Sequence, residues 1–180
     1  MASAVEIPFE LEEALHVLER TPAALRALLQ GLPDAWLSYQ EDAEAWSPLT
    51  VLIHFIHNER MNWIPRARII LSGEDRREFP PFRQLPQDMS LSERSTAALL
   101  AEFARLREHS LVELKGLGLR EQDFDRDAIH PVLGPVTLRQ LLSTWVVHDL
   151  NHTHQIAKTL AKRYREVVGP WRQFLSILDA

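Results

Sequence analysis

The stretch HDLNHTHQ, residues 148–155, lies inside a long run with helical periodicity near the C-terminus. Residues four apart in an α-helix lie on the same face, so His148 and His152 direct both imidazoles to one side. Both positions coincide with an apolar stripe, which is typical of a helix that faces a core. Because unpaired imidazoles in a core are unfavourable, the stretch predicts a partner for them, and a metal ion is one such partner.

A third ligand must come from elsewhere, because two histidines do not complete a stable transition-metal site. The other histidine-bearing helical stretch is LIHFIH, residues 52–57. It offers His54, and His57 one turn later is not excluded by its spacing. His154 lies six residues beyond His148, about 600° of helical rotation, and is directed away from the pair. The hypothesis is a three-histidine centre in a helical bundle, and hydrogen-bonded core histidines are the alternative.

Periodic apolar residues predict four principal helices with long connections. Their predicted ranges are 9–30 with a break at Thr21-Pro22, 47–71 with a bend at Pro65, 90 to 116 or 118, and 138–169, before a short helix over 171–178. Ser90 and Thr137 each open a capping-box pattern. The turn-rich segment 120–136 predicts a connection with a short extended piece. The predicted fold is an all-α four-helix bundle that forms a single domain over residues 1–180.

Composition limits the classes of function. The chain has 180 residues, is 46% hydrophobic, and carries a formal charge of −5, which argues against a non-specific nucleic-acid binder. It has no cysteine, so imidazole and oxygen are the available metal ligands. Neither a signal peptide nor a membrane-spanning run is present in the sequence. These features predict a cytoplasmic protein with a small-molecule substrate and no membrane or nucleic-acid partner.

The chain resembles the DinB-like superfamily, whose relatives include the YfiT-type proteins. The resemblance covers nearly the whole chain and rests on an ordered set of motifs: WSP at 46–48, His54, Glu59 and Trp63, then HDLNH at 148–152 with Gln155 after it. It implies a four-helix bundle, often a homodimer, with a divalent metal, zinc or nickel, held by His54, His148 and His152. His154 departs from the pattern, which usually has a small residue there, and this bears on the pocket wall.

The resemblance also implies a class of chemistry. Characterised relatives are transferases and isomerases that use low-molecular-weight thiols, and others are described as metal-dependent hydrolases. Three histidines leave a coordination position open, as in catalytic zinc sites. We therefore expect a thiol-dependent transferase or a hydrolase. The alternative is a non-catalytic stress-response or binding module with a structural metal or none, because no Glu stands between His148 and His152 as a general base.

Several further residues are candidates for supporting roles. Asn58 lies one turn after His54, and Gln155 lies close to His152 on the same face. Either one is a candidate to orient a ligand or to contact the substrate. Arg66 and Arg68 are candidate anchors for a carboxylate or phosphate, with ordinary surface charge as the alternative.

Overall fold

A computed structural model describes residues 7–75, 77–86 and 89–179 and shows a bundle of four helical arms. Two arms are pairs of consecutive helices, and two are long single helices. The helices in chain order are α1 (Leu11–Leu18), α2 (Thr21–Leu29), α3 (Asp34–Leu37), α4 (Pro48–Met61), α5 (Trp63–Leu71), α6 (Thr96–Gly116) and α7 (Leu138–Lys162). The arms are α1 with α2, α4 with α5, α6, and α7. The predicted all-α four-helix bundle is confirmed.

The second arm begins where the sequence predicts and breaks earlier. The Ser47 hydroxyl accepts a hydrogen bond from the Thr50 N–H at 3.1 Å, so Ser47 caps α4. The break lies at Asn62, with φ −108° and ψ −71°, and not at Pro65. A proline ring collides with the carbonyl four residues earlier, here that of Met61, so the distortion appears before the proline itself.

Three other predicted boundaries are wrong. Helix α6 begins at Thr96, because the Ser95 hydroxyl accepts from the Ala98 N–H at 3.3 Å, whereas residues 89–93 form a 3-10 turn. The side chain of Ser90 lies outside the described part, so its predicted cap is not tested. The predicted connection after Pro33 holds the short helix α3. Helix α7 ends at Lys162 and not near Gly169, and two 3-10 helices, Gly169–Phe174 and Ser176–Leu178, take the place of the short final helix.

An antiparallel hairpin fills the connection before α7. Strands β1 (Asp127–His130) and β2 (Gly134–Thr137) pair with His130 opposite Gly134, which has a positive φ of 76°. The loop between α5 and α6 is attached to this hairpin, because the Phe79 N–H donates to the Ile129 carbonyl at 2.9 Å. The Ile129 N–H donates in turn to the Arg77 carbonyl at 2.7 Å. The loop and the hairpin therefore form one covering layer beside the bundle.

The last helix starts with the predicted capping box. The Gln140 N–H donates to the Thr137 hydroxyl at 3.2 Å, and the Thr137 N–H donates to Gln140 Oε1 at 2.9 Å. This reciprocal pair sets the register of α7 and so the face on which its histidines lie. No helix in the described ranges is both long enough and apolar enough to cross a membrane.

Arg107 joins all four arms through buried hydrogen bonds. Its guanidinium on α6 donates to Glu59 Oε1 on α4 at 2.7 Å and to Asp149 Oδ2 on α7 at 2.6 Å. A third bond of 2.9 Å reaches the carbonyl of Leu18 on α1. All three side chains are almost fully buried. The arms are therefore held in register by a buried ionic cluster as well as by apolar packing, although Glu59 Oε2 is buried without a partner among the described residues.

Burial and charge act in opposition within this cluster. Burial raises the pKa of Glu59 despite the charge of Arg107. Burial acts in the same direction on Asp149, but the charge and hydrogen bonds of Arg107 outweigh it and lower the pKa of that carboxyl. The contacts of Arg107 therefore favour the ionised form of Asp149.

Candidate metal centre

Three histidines from two arms converge in the middle of the bundle. Helix α4 supplies His54, and α7 supplies His148 and His152, one turn apart. One ring nitrogen of each lies within 4.8 Å of the other two, and the Nε2 atoms of His54 and His148 are 2.9 Å apart. Within the described ranges, no Asp, Glu or further His side chain joins this group.

Hydrogen bonds orient two of the three rings. His54 Nδ1 lies 2.6 Å from the backbone carbonyl of Gln84, and a carbonyl only accepts, so Nδ1 carries the proton. His152 Nδ1 lies 2.7 Å from Gln155 Oε1 and is protonated for the same reason. The lone pair of each ring is then on Nε2, which is the atom offered to a metal.

The third ring is held differently. His148 Nδ1 lies 3.8 Å from Asp149 Oδ1, which is beyond hydrogen-bond distance, and no other described group bonds to it. Its ring packs edge-on against Trp63, with 5.0 Å between the ring centroids. His148 is therefore positioned by packing, whereas the other two rings are also fixed by hydrogen bonds.

Burial favours the neutral form of His54 and of His152. It lowers the pKa of His54 to about 4, with smaller contributions in the same direction from the neighbouring histidines, although the bond to Gln84 raises it. Burial, followed by the charge of His148, also lowers the pKa of His152. A neutral imidazole is the form that binds a metal, so these two rings are ready for coordination at neutral pH.

The structure places the other sequence candidates as follows. Asn58 Nδ2 donates to the His54 carbonyl at 2.9 Å and lies 3.1 Å from His54 Nε2, so the amide packs against that ring. His57 is outside the group, because its Nε2–H donates to the Arg83 carbonyl at 2.9 Å and its ring stacks on Phe82. His154 is exposed on the opposite side of α7.

A cavity of about 320 Å³ opens onto the three histidines. It reaches the surface at Leu133, which lines it and is 71% exposed. Its wall also contains Asn62, Arg66 and His130. No carboxylate lines it among the described residues, because Glu59 and Asp149 face Arg107 instead.

Sequence reasoning considered Arg66 and missed Asn62 and His130. A signal for Asn62 was present, because His54, Asn58, Asn62 and Arg66 recur every fourth residue and so follow one helix face. The hairpin that brings His130 to the site carries no comparable pattern. The four polar residues on that helix face therefore extend the site along the second arm.

A larger surface cleft of about 860 Å³ lies between α2 and α6, away from the histidines. Its polar groups bond to each other: Lys115 Nζ donates to Glu19 at 2.8 Å, and Arg26 donates to Gln30 at 3.3 Å. These polar groups of the cleft are therefore already paired with each other. The histidine cavity is smaller, but it contains the candidate metal ligands.

Comparison with solved structures shows the same architecture. YfiT from Bacillus subtilis, described as a probable metal-dependent hydrolase with an unusual four-helix bundle topology, superposes with a TM-score of 0.73 at 20% identity, over 91% of this chain and 93% of that chain. TT2238, a four-helix bundle protein, gives a TM-score of 0.55 at 25% identity, over 82% of this chain and 98% of that chain. These likenesses concern the fold.

Comparison of sequences gives the family. No protein of curated function matches the chain. A profile of the DinB superfamily matches residues 17–156, which include all three histidines. The match spans well over half of the chain and agrees with the resemblance seen in its motifs. The chain belongs to the DinB superfamily.

Proposed function

We propose that this protein is a metal-dependent enzyme whose His54, His148 and His152 hold a divalent ion, zinc or nickel. The convergence of three ring nitrogens on the wall of an open cavity carries the proposal. Imidazole ligands suit both metals, and three of them leave a coordination position for a substrate. A sealed site with four protein ligands would instead favour a structural metal.

The proposed chemistry is thiol-dependent transfer to a small molecule, or hydrolysis of one. A bound ion supplies Lewis-acid activation of a thiol, a water or a carbonyl. The protein contributes the positions of the groups: the Gln84 carbonyl and the Gln155 amide hold two rings, while Trp46 and Trp63 pack against the histidines. Asn58 supports His54 from within the core.

Metal analysis of variants tests the ligand set. We expect the parent to carry about one divalent ion per chain, and His148→Ala and His152→Ala to lose it, because two histidines form a weak site. His154→Ala is the matched control, since this exposed histidine lies on the same helix outside the group. Elemental analysis after gel filtration measures the content. If His148→Ala retains the parent content, the ligand assignment is wrong.

Activity assays test the reaction class. The parent should transfer a low-molecular-weight thiol to an electrophile or hydrolyse an ester or amide, with His148→Ala as the blank. Activity that is equal in the two proteins would contradict a metal-dependent reaction. The expected homodimer and the cytoplasmic location stay predictions, and analytical ultracentrifugation and cell fractionation would test them.

A further inference from the structure

The cavity beside the histidines contains a buried arginine that no acidic group of the described residues neutralises. Arg66 is 8% exposed and lines the cavity wall. Its guanidinium lies over the ring of Phe79, at 4.7 Å from the centroid, and over that of Phe82, at 5.3 Å. Among the described residues it has no carboxylate partner, and burial alone lowers its pKa. The aromatic rings hold the plane of the guanidinium and leave its N–H groups to an outside acceptor.

His130 adds a neutral donor near this arginine. Its Nδ1 accepts hydrogen bonds of 3.2 Å from the backbone N–H groups of Val132 and Leu133. The proton of the neutral ring is therefore on Nε2, and His130 also lines the cavity. His130 packs edge-on against the same Phe79 ring that Arg66 covers, with 6.1 Å between the ring centroids. Burial, and then the charge of Arg66, lower the pKa of His130.

Asn62 offers an acceptor that nothing in the described protein uses. Asn58 Nδ2 donates to the His54 carbonyl, so Asn58 Oδ1 is an acceptor. Asn62 Nδ2 donates to that oxygen at 2.8 Å, which fixes the orientation of the second amide. Asn62 Oδ1 is then buried without a partner. Since buried polar groups are normally paired, this oxygen points to a ligand with a hydrogen-bond donor.

The charge of the cavity selects the ligand class. The described lining contains one fixed cation, Arg66, and no carboxylate, and a bound divalent metal would add further positive charge. A planar guanidinium matches the two oxygens of a carboxylate in a bidentate contact. One guanidinium beside the neutral donor of His130 matches a single negative charge better than the double charge of a phosphate monoester.

We propose that the cavity binds an organic monocarboxylate, with its acid group on Arg66, a donor group facing Asn62, and an apolar body against Phe79 and Phe82. That the opposite end of this ligand reaches the metal rests on the proposed function. The carboxylate site itself depends only on Arg66 and its surroundings. The polar residues along α4 and α5, from His54 to Arg66, would then line the path of the ligand from its end at the metal to its acid group at Arg66.

Titration calorimetry with three probes tests this assignment on the protein as isolated. The probes are 4-phenylbutyrate, its neutral amide, and 3-phenylpropylphosphonate. We expect the parent to bind the carboxylate more tightly than either of the others. Arg66→Gln should weaken carboxylate binding by about tenfold to a hundredfold, as expected for a lost charge-assisted contact, and leave the amide unaffected.

Arg68→Gln is the matched control, because this arginine is two residues away but exposed and paired with Glu113 at 3.0 Å. It should change the carboxylate affinity by less than about twofold. Arg66→Lys keeps the charge and loses the planar fork, so its affinity should lie between those of the parent and Arg66→Gln. If Arg66→Gln does not fold, the comparison of Arg66→Lys with Arg68→Lys decides.

His148→Ala separates this inference from the proposed function. A carboxylate seated on Arg66 should still bind this variant more tightly than its neutral amide does, whatever the metal content. Loss of carboxylate binding in His148→Ala but not in Arg66→Gln would place the acid on the metal and overturn the inference. Tighter binding of the phosphonate, equal binding of acid and amide, or no binding of any probe would also overturn it.

Discussion

Two buried arginines in this bundle have opposite surroundings. Arg107 is enclosed by Glu59, Asp149 and a backbone carbonyl, and each of these accepts a hydrogen bond. Arg66 lies between two aromatic rings, without a carboxylate partner among the described residues. The first side chain is 1% exposed and the second 8% exposed, so burial alone does not distinguish them.

This difference indicates that Arg107 stabilises the fold, whereas Arg66 is available to bind a ligand. A buried ion pair seldom adds much stability over an apolar substitute, but removing one member leaves an uncompensated charge and is costly. Arg107 satisfies this description at the meeting point of the four arms. The guanidinium N–H groups of Arg66 lie at the edge of a cavity, where a ligand can accept hydrogen bonds from them. The predictions below test this contrast.

The largest expected effect is on stability at Arg107. Arg107→Leu leaves two buried carboxylates unpaired, and we expect the free energy of unfolding to fall by about 3–5 kcal/mol. Urea denaturation followed by circular dichroism measures the change. Arg105→Gln is the control, since this exposed residue on the same helix pairs with Glu102 and should leave stability close to that of the parent. A similar loss in both variants would contradict the proposed role of the cluster.

A second test titrates His54, which faces the cavity as Arg66 does. Burial lowers the pKa of His54 in the folded state to about 4, below the usual 6.5 of a histidine. Between these two pH values the unfolded chain binds a proton that the folded chain does not, so stability should fall as the pH drops through this window. In metal-free protein the loss is at most about 3 kcal/mol.

His54→Leu should show a shallower pH dependence of stability over the same window, because it lacks the titrating group. His109→Gln is the control, since this histidine is exposed on α6 and pairs only with Glu113. Denaturant unfolding at several pH values after chelation measures both. Parallel curves for the parent and His54→Leu would show that His54 is not the group responsible.

The third test compares two supports of the histidines. Gln155 accepts from His152 through its side chain, whereas Gln84 accepts from His54 through its backbone carbonyl. We expect Gln155→Leu to lower metal affinity by about tenfold to a hundredfold, the usual effect of losing an outer partner. Gln84→Ala keeps its carbonyl and should bind metal as the parent does. Competition with a chelating dye measures both affinities, and equal losses would contradict this distinction.

The smallest expected effect is on stability at Arg66. Arg66→Met replaces an unpaired buried cation with an apolar chain of similar length, so the loss of cation–π contact and the relief of burial should nearly cancel. We expect the free energy of unfolding to change by less than about 1 kcal/mol. Chemical denaturation measures it beside Arg107→Leu. A loss as large as that of Arg107→Leu would assign Arg66 a structural role.

Local signals in the sequence predicted much of this fold. Caps at Ser47 and Thr137 depend on contacts within three residues, so they could be identified from the chain alone. The sequence predicts too early a start for the third helix because Ser90, with Glu93 three residues later, has the capping-box pattern, whereas Ser95, which caps the helix, does not. The proline predicts a bend at Pro65, but its collision distorts the preceding turn. Local signals therefore predict these elements but not their exact boundaries.

Some residues of the candidate site can likewise be predicted from local sequence, and others cannot. His148 and His152 follow from helix geometry, and His54 was inferred from the need for a third ligand. The Gln84 carbonyl is a backbone atom of a loop, so no residue type announces it. Arg107 interrupts the apolar spacing of Phe103 and Leu111, which is a visible signal, but its partners lie on three other arms. Long-range pairing of this kind requires the fold.

The loop and the hairpin share main-chain hydrogen bonds at Phe79 and Ile129. Phe79 covers Arg66, and Ile129 precedes His130, so separation of the two segments would open the cavity from both sides at once. The exchange rates of these two amide protons with deuterated solvent therefore measure how often the cavity opens. A ligand held between the two segments should slow both exchanges together, which makes this pair of amides a built-in reporter of occupancy.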